Sequence, residues 1–546
     1  MAINLGIVKV GDEWECRCRY EDNEIPRMAG LQWDKGRKSW FTRDREKVAR
    51  IRAGAGLKGY EVHSATLPDI KIPSWRGHPS LAKDGPEYPV PPDRDYFPFQ
   101  KGGIAYVLAR KNTLLADDMG LGKTIQAIGV MNAEPVKTAL ILCPAAIKDQ
   151  WAAEIDEWLN YYRSVGIYKK GRFPKTDIVI INYDNLNRNA EKLRSREWDI
   201  VIADEAQNLK NPSAKRTLAV YGGGPDRLAP LKCKRFLALT GTPIDNRPID
   251  LYPTLRYMMP EAFESWWQFT LLYCGGKFSR FGYVRGGASN MKILGALLRE
   301  TCMVRRIKTH VLDQLPEKRR QIIPLEADEK AQAAASAELR AYEAATSEAF
   351  ELAKAGDALG ASIAQMEALE KISAARIEAA LAKIPAAVEV MKTWIEGEKL
   401  VVVCYHRKVI EAVRKEFGGA ALTFHGGTKD REKVKKAFIE DDSKRVFIMQ
   451  VTAGGAGVDG LQKVCNHGCF LEFDWRSAVM VQAEDRLWRI GQENHVLWSY
   501  FVLPDSVDQK FLAMNGQKAW TASAILDEPA MAAEGEATPA QPRHLL

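Results

Sequence analysis

Residues 116–124 read Ala116-Asp117-Asp118-Met119-Gly120-Leu121-Gly122-Lys123-Thr124, between the apolar pair Leu114 and Leu115 and a helical run from Ile125 to Met131. A glycine-rich turn that leaves a strand and enters a helix points unpaired amide groups at whatever sits before the helix, and that suits a phosphate. Gly120 and Gly122 let the backbone approach and turn its N–H groups inward, flanked by Asp118, Met119 and Leu121. Lys123 can reach the terminal phosphates, and the Thr124 hydroxyl can bind Mg²⁺. The generic pattern has glycine where this chain has Asp117.

A second stretch completes the chemistry. Residues 198–207, Trp-Asp-Ile-Val-Ile-Ala-Asp-Glu-Ala-Gln, form a buried-strand pattern ending in two carboxylates. The apolar run Ile200 to Ala203 cannot present charge until it leaves its sheet, so Asp204 and Glu205 emerge at the C-terminal edge, where open α/β sheets bind ligands. There Asp204 can hold Mg²⁺ while Glu205 orients or deprotonates an attacking water.

The spacing of apolar runs sets the organisation. Residues 4–20 alternate about a Gly11-Asp12 turn and predict a hairpin, and residues 44–53 predict a helix, so residues 1–60 form a small α+β module. Residues 61–94 are a proline-rich linker. Strands at Leu114-Leu115, Ala139–Leu142, Ile178–Ile181, Ile200–Ala203 and Phe236–Leu239 alternate with helices, giving a parallel-sheet lobe over 95–320. The aromatic-rich stretch 250–300 reads as a helical insertion. Residues 321–398 are Ala- and Glu-rich and predict a helical brace, residues 399–515 a second parallel α/β lobe, and residues 516–546 a largely disordered tail. The class is therefore α/β, with two lobes, helical insertions and a small N-terminal module.

Further motifs follow in order: Leu239-Thr240-Gly241-Thr242-Pro243, and Gln482-Ala483-Glu484-Asp485-Arg486-Leu487-Trp488-Arg489-Ile490-Gly491-Gln492. With these, residues 95 to 512 resemble the Swi/Snf-type ATPases of helicase superfamily two, whose lobes are RecA-like. That family accepts Asp117, but usually carries His where Gln207 stands and an Asn-Leu pair near Asp459 and Gly460. The resemblance implies ATP and Mg²⁺ as cofactors, Gln207 as a coupling residue, and an adenine clamp from Phe97 and Gln100. It implies nucleotide contacts from Gly457 and Asp459, and nucleic-acid contacts from Lys148, Gln150, Thr242, His425, Thr452 and Trp475. Arg486 and Arg489 would reach the γ-phosphate, and an arginine finger is worth ~10³ to 10⁵ in rate. Arg305-Arg306-Ile307-Lys308 is either a solvated helix face or a contact to a nucleic-acid backbone. The N-terminal module faintly resembles the HARP module of annealing helicases, a branch connected with DNA repair.

Composition is consistent with this. At 546 residues the chain has room for several domains; it is 46% apolar and 27% charged, ordinary for a soluble protein. It has no apolar run long enough to span a membrane and no N-terminal signal, and its nine cysteines include no Cys-x-x-Cys pair, so a reducing cytosol, or a nucleus in a eukaryote, is the expected setting. Cys465, His467 and Cys469 lack the partner pair a zinc site needs. The net charge of +8 says little, but basic residues crowd residues 35–58, among them Arg37 and Lys38, interleaved with Trp33, Trp40 and Phe41. That pattern suggests a nucleic-acid contact, with a plain basic surface as the alternative.

The leading expectation is a DNA-dependent ATPase that translocates on double-stranded or branched DNA, remodelling it or displacing bound protein. A strand-separating DNA or RNA helicase is the second reading and an inactive DNA-binding scaffold the third.

Overall fold

The computed structural model describes residues 4–512, apart from 19–21, 36, 38, 58–60, 69–76, 225–226, 245–246, 280–281, 286, 327, 355–357, 452–457, 475, 505 and 511. The expected C-terminal tail lies outside the described residues, as do Lys38, Thr452, Gly457 and Trp475. Among the described residues the chain divides into two units, one formed by residues up to 117 and 123–306, the other by 118–122 and 307–512.

The first unit opens with a five-stranded sheet: β1 (Asn4–Val10), β2 (Glu13–Arg17), β3 (Gln32–Asp34), β4 (Ser39–Thr42) and β5 (Glu61–Thr66), in the order β3-β4-β2-β1-β5. Leu5, Ile7, Cys16, Ile25, Leu31, Val48 and Ile51 form its core beneath the helix Arg45–Leu57. Residues 61–66, expected to begin the linker, instead pair in parallel with Asn4–Lys9 and complete the sheet. The strand escaped notice because Glu61-Val62-His63-Ser64-Ala65-Thr66 carries only one large aliphatic residue. The module is fastened to the rest of its unit: Arg17 Nη1 donates to the carbonyls of Leu271 (2.6 Å) and Gly276 (3.2 Å), and His63 stacks on Trp267 with ring centres 4.2 Å apart.

The main sheet of this unit consists of β6 (Asn112–Leu115), β7 (Ala139–Cys143), β8 (Val165–Ile167), β9 (Ile178–Asn182), β10 (Trp198–Asp204), β11 (Cys233–Leu239) and β14 (Met303–Val304). Its order is β14-β6-β11-β10-β7-β9-β8, every pair parallel. The expected strands are all present. Helices cover both faces, so the central strands are continuous apolar runs rather than alternating ones. The aromatic-rich insertion holds the helices Tyr252–Met258, Trp266–Tyr273 and Met291–Thr301, with a small hairpin of β12 (Lys277–Ser279) and β13 (Gly282–Val284).

The second unit has a six-stranded, all-parallel sheet of β15 (Lys318–Pro324), β16 (Leu400–Cys404), β17 (Ala421–Phe424), β18 (Val446–Gln450), β19 (His467–Phe470) and β20 (Val496–Val502), in the order β15-β20-β19-β16-β18-β17. It begins earlier than expected: β15 lies across the boundary drawn at residue 320. As an edge strand it carries Lys318, Arg319 and Arg320 and is largely exposed, which hides it from any search for apolar runs. Two long helices, Glu329–Lys354 and Ala358–Ile395, occupy the stretch expected to brace the lobes.

Gly468 lies within the buried strand β19 because the ring of its β20 partner, Trp498, occupies the space a side chain would need. A Cβ there would come within 2.4 Å of the indole. Gly468→Ala should therefore destabilise the second unit by about 1–3 kcal/mol through overpacking, seen as an earlier denaturation midpoint. An unchanged midpoint would mean that Trp498 yields at no cost.

Candidate nucleotide site

The phosphate loop has the backbone its glycines predict. Gly120 (φ +81) and Gly122 (φ +69) occupy the left-handed region, and the helix Lys123–Ala133 starts directly after them. Lys123 Nζ donates to the carbonyl of Asp117 (2.8 Å), so the amine is held over the loop. Asp117, where the generic pattern has glycine, is fully buried and belongs to the scaffold. Its carboxylate accepts from the backbone N–H (2.9 Å) and Nε (2.9 Å) of Arg306, again from Arg306 Nη2, and from Gln126 Nε2 (3.0 Å). Arg306 also donates to Gln126 Oε1 (2.7 Å) and to the carbonyl of Phe99, while Arg305 Nη1 donates to the carbonyl of Ala116 (2.6 Å). The basic run at 305–308 is therefore neither a solvated face nor an exposed anion contact: Arg305, Arg306 and Lys308 are all buried and engaged. Sequence offered no sign of this, because a basic cluster reads the same whether its partners are near or far in the chain.

Asp204 and Glu205 leave β10 at its C-terminal end, as the strand pattern requires. Asp204 Oδ2 accepts from the indole N–H of Trp151 (2.8 Å), its Oδ1 accepts from the backbone N–H of Glu205 (2.9 Å), and the Tyr183 hydroxyl donates to its main-chain carbonyl (2.6 Å). Trp151 and Tyr183 thus hold the C-terminal end of β10 in place, a role their local sequence does not reveal. Desolvation, then the charge of Glu205, pushes the Asp204 carboxyl up to about 7, against the Trp151 hydrogen bond and Lys123. With the Thr124 hydroxyl, the Asp204 carboxylate offers the oxygen donors that Mg²⁺ takes. The two residues fit that ion.

Glu205 itself has φ +53, a left-handed conformation a glutamate adopts at a cost. Asn208 holds it there, with its backbone N–H and its side-chain amide both donating to the Glu205 carbonyl at 2.9 Å. Gln207 Nε2 donates to Glu205 Oε2 (2.6 Å), and its amide oxygen is buried without a hydrogen-bond partner among the described residues. The glutamine is thus tied to Glu205 through its amide nitrogen.

The adenine-side candidates divide. Phe97 is 39% exposed and lies parallel to Phe99, with ring centres 5.7 Å apart, so one aromatic face is presented outward. Gln100 is buried, and its Oε1 accepts from the backbone N–H of Phe97 (3.0 Å), which steadies the start of the helix Pro98–Leu108.

In the second unit, Arg486 and Arg489 follow the helix Ser477–Glu484, and both meet Asp459. The turn carrying them is anchored through its neighbours. Glu484 is buried and accepts from Lys318 Nζ (3.0 Å), Arg320 Nε (2.7 Å) and the Tyr500 hydroxyl. Asp485 pairs with Lys308 (3.0 Å) and Lys318 (3.3 Å), and Lys308 Nζ donates to the carbonyl of Trp488 (2.6 Å). Burial pushes the Lys308 amine down to about 8, with Asp485 opposing. Gly491 (φ +88) turns the chain, and the buried Gln492 donates to the carbonyls of Cys465 (3.0 Å) and Leu487 (3.2 Å), which explains the Ile-Gly-Gln ending in local terms.

Of the other candidates, Lys148 donates to the carbonyl of Tyr168 (3.0 Å) while Gln150 is exposed one turn into the helix Lys148–Trp158. Thr242 is half-buried, its backbone N–H bonded to Thr240 Oγ1 (3.0 Å), and His425 Nδ1 accepts from the Gly427 amide (3.0 Å). In the N-terminal module Trp33 is 45% exposed, whereas Trp40 packs on the core and donates to Asn23 (2.9 Å). Arg37 lies over Phe41 and pairs with Glu13 (3.1 Å). Cys465 donates to backbone carbonyls and His467 pairs with Glu398 (2.6 Å), so neither is arranged as a metal ligand. Among the described residues no helix is long and apolar enough to cross a membrane.

A phosphate loop and a carboxylate pair on one parallel sheet, with an arginine pair on a second, define a two-lobed phosphate-loop protein. The chain belongs to the SNF2-related family: residues 43–375 match the SNF2-related domain and residues 382–491 the helicase conserved C-terminal domain. It is 31% identical over 436 residues to the SWI/SNF-related matrix-associated actin-dependent regulator of chromatin subfamily A-like protein 1 of Xenopus tropicalis, covering 77% of this chain and 44% of that protein. It is 29% identical over 467 residues to the DNA annealing helicase and endonuclease ZRANB3 of Bos taurus, covering 80% and 41%. The chain thus spans less than half the length of these relatives. Among solved structures it is similar to the Sulfolobus solfataricus SWI2/SNF2 ATPase core in complex with dsDNA, at 21% identity and a TM-score of 0.38, covering 81% of this chain and 95% of that one.

The Glu484 cluster yields a pH prediction. Burial alone would raise its carboxyl, but Lys318 and Arg320 prevail and hold it at about 2, against an ordinary 4.5. A depressed acid contributes stability above its unfolded value and loses it on acidification, so the second unit should weaken as pH falls from about 4.5 toward 2. Glu484→Gln should cost about 3–5 kcal/mol near neutrality and flatten that acid dependence. Denaturation midpoints of both forms across this range test both expectations.

Proposed function

We propose that this chain is a DNA-dependent ATPase that moves along double-stranded DNA, remodelling DNA structures or displacing bound protein. The observation that carries the reading is the strained Glu205, braced by Asn208, joined to Gln207 and set beside a buried Asp204. Strain held in place this way suits a group that must act on one water molecule. The loop amides and Lys123 bind the triphosphate, Phe97 offers its face to the adenine, and Glu205 with Gln207 orients the attacking water. Thr124 and Asp204 hold Mg²⁺, which supplies charge neutralisation on the phosphates. Arg486 and Arg489 stabilise charge on the transferring γ-phosphate, a contribution of ~10³ to 10⁵ in rate, or roughly 4 to 7 kcal/mol of barrier.

DNA is the substrate of choice because the relatives are named for chromatin regulation and DNA annealing, and because the N-terminal module carries an exposed Trp33 beside Arg37. The compartment of action is the one that holds that DNA. ATP turnover measured with single-stranded, duplex and forked DNA and with RNA tests the reading. Stimulation by duplex or forked DNA is expected; stimulation by RNA or single strands alone would favour a strand-separating helicase.

Lys123→Ala should weaken ATP binding, Glu205→Gln should leave ATP bound but uncleaved, and Arg489→Ala should retain ATP binding while losing stimulated turnover. Normal turnover in any of the three would displace that residue from its role. Trp33→Ala should weaken fork binding by ~1 to 3 kcal/mol, as loss of a stacked base does, with basal ATP turnover unchanged. Equal fork affinity at every salt concentration would make the module a structural appendage.

A further inference from the structure

Arg486 and Arg489 lie three residues apart, close enough for their charges to repel. A single carboxylate serves both: Asp459 Oδ1 accepts from Arg489 Nη1 and lies 3.5 Å from Arg486 Nη1. Its side chain is 38% exposed, so core packing does not hold it in place. The backbone does. Gly460 adopts φ +95 directly after Asp459, and its N–H donates to Gln462 Oε1 (3.0 Å). Gln462 Nε2 in turn donates to the carbonyl of Ile490 (3.3 Å), and Gln492 reaches back to Cys465. The loop bearing the carboxylate and the turn bearing the arginines are therefore tied together on either side of the ion pair. Burial would raise the Asp459 carboxyl, but Arg489 and Arg486 outweigh it and keep the group ionised.

We propose that Asp459 is a positioning residue for hydrolysis, fixing the directions of both guanidinium groups so that the remaining N–H donors of Arg489 meet the γ-phosphate. The inference rests on the ATPase reading. A guanidinium offers five donors in a rigid fork, and Asp459 engages one of the terminal nitrogens of Arg489. The Nε side of the fork remains for a bidentate phosphate contact. An arginine whose rotamer is already selected need not be ordered during the reaction, which is the advantage of a supported side chain. The direction of the Arg489 guanidinium is set by its N–H contact to Oδ1, which an amide oxygen can also accept.

The test uses the full chain and DNA-stimulated ATP turnover. Asp459→Ala should lower kcat about tenfold to a hundredfold, the scale on which a misplaced group costs rate, while the KM for ATP stays nearly constant. Asp459→Asn, which keeps Oδ1 as an acceptor, should restore kcat to near the parent value. An Asp459→Ala chain with unchanged or faster turnover overturns the proposal, faster turnover marking the carboxylate as a competitor of phosphate. It is equally overturned if the Asn variant falls as far as the Ala variant. Melting curves verify the fold, and if Asp459→Ala does not fold, Asp459→Ser, too short to reach both arginines, is read in its place. A parent chain without ATP turnover on any nucleic acid would refute the ATPase reading itself; an active parent with an indifferent Asp459→Ala refutes only the role of Asp459.

Discussion

The buried ion pair between Arg306 and Asp117 organises the catalytic edge of the first unit. Both side chains are almost wholly withdrawn from solvent, an arrangement that is tolerable only when nearly every donor and acceptor is matched. They are matched: Arg306 reaches Asp117, Gln126 and the carbonyl of Phe99 at once. The start of the phosphate loop, the first turns of the helix behind it and the start of the helix Pro98–Leu108 are thereby fixed by one guanidinium. Removing either partner would strand a charge in the interior, so the pair specifies the loop geometry more than it adds to stability. The second unit begins immediately after Arg306.

The second unit solves the same problem with the opposite polarity. There the buried carboxylates belong to the functional turn, at Glu484 and Asp485, and the cations come from Lys308 on one side and Lys318 and Arg320 of the edge strand β15 on the other. In each unit a loop at one end of a parallel sheet is tied by buried charge to a segment distant in sequence. Backbone hydrogen bonding stops where the strands stop, so loops at that edge need side chains to hold them. Charge does this with direction, which apolar packing would not.

That division accounts for what sequence conveyed and what it withheld. The central strands were legible because burial on both faces makes them unbroken apolar runs, and the phosphate loop because Gly120 and Gly122 must adopt positive φ. Strands β5 and β15 were not legible: one has few large apolar residues, and the other is a charged edge. The carboxylates Asp204 and Glu205 were placed correctly by the end of an apolar run. Two of their supports, Trp151 and Tyr183, lie 53 and 21 residues from Asp204, and no local pattern names a partner at that distance. The run at 305–308 misled for the same reason: three cations on a short segment give no indication that Asp117, Asp485 and the carbonyl of Ala116 await them.

The N-terminal module follows the same logic on a larger scale. Its five-stranded sheet could have been a tethered bead, yet Arg17 takes two carbonyls of the aromatic insertion, Gln268 reaches the carbonyl of Ser64 (3.5 Å), and His63 stacks on Trp267. Strand β5, the element hidden in sequence, supplies two of those contacts. A module docked by its last strand keeps a set orientation on the first unit, so Trp33 and Arg37 are held at a fixed place on that unit. The small sheet is thereby part of the first unit and not a separate arm.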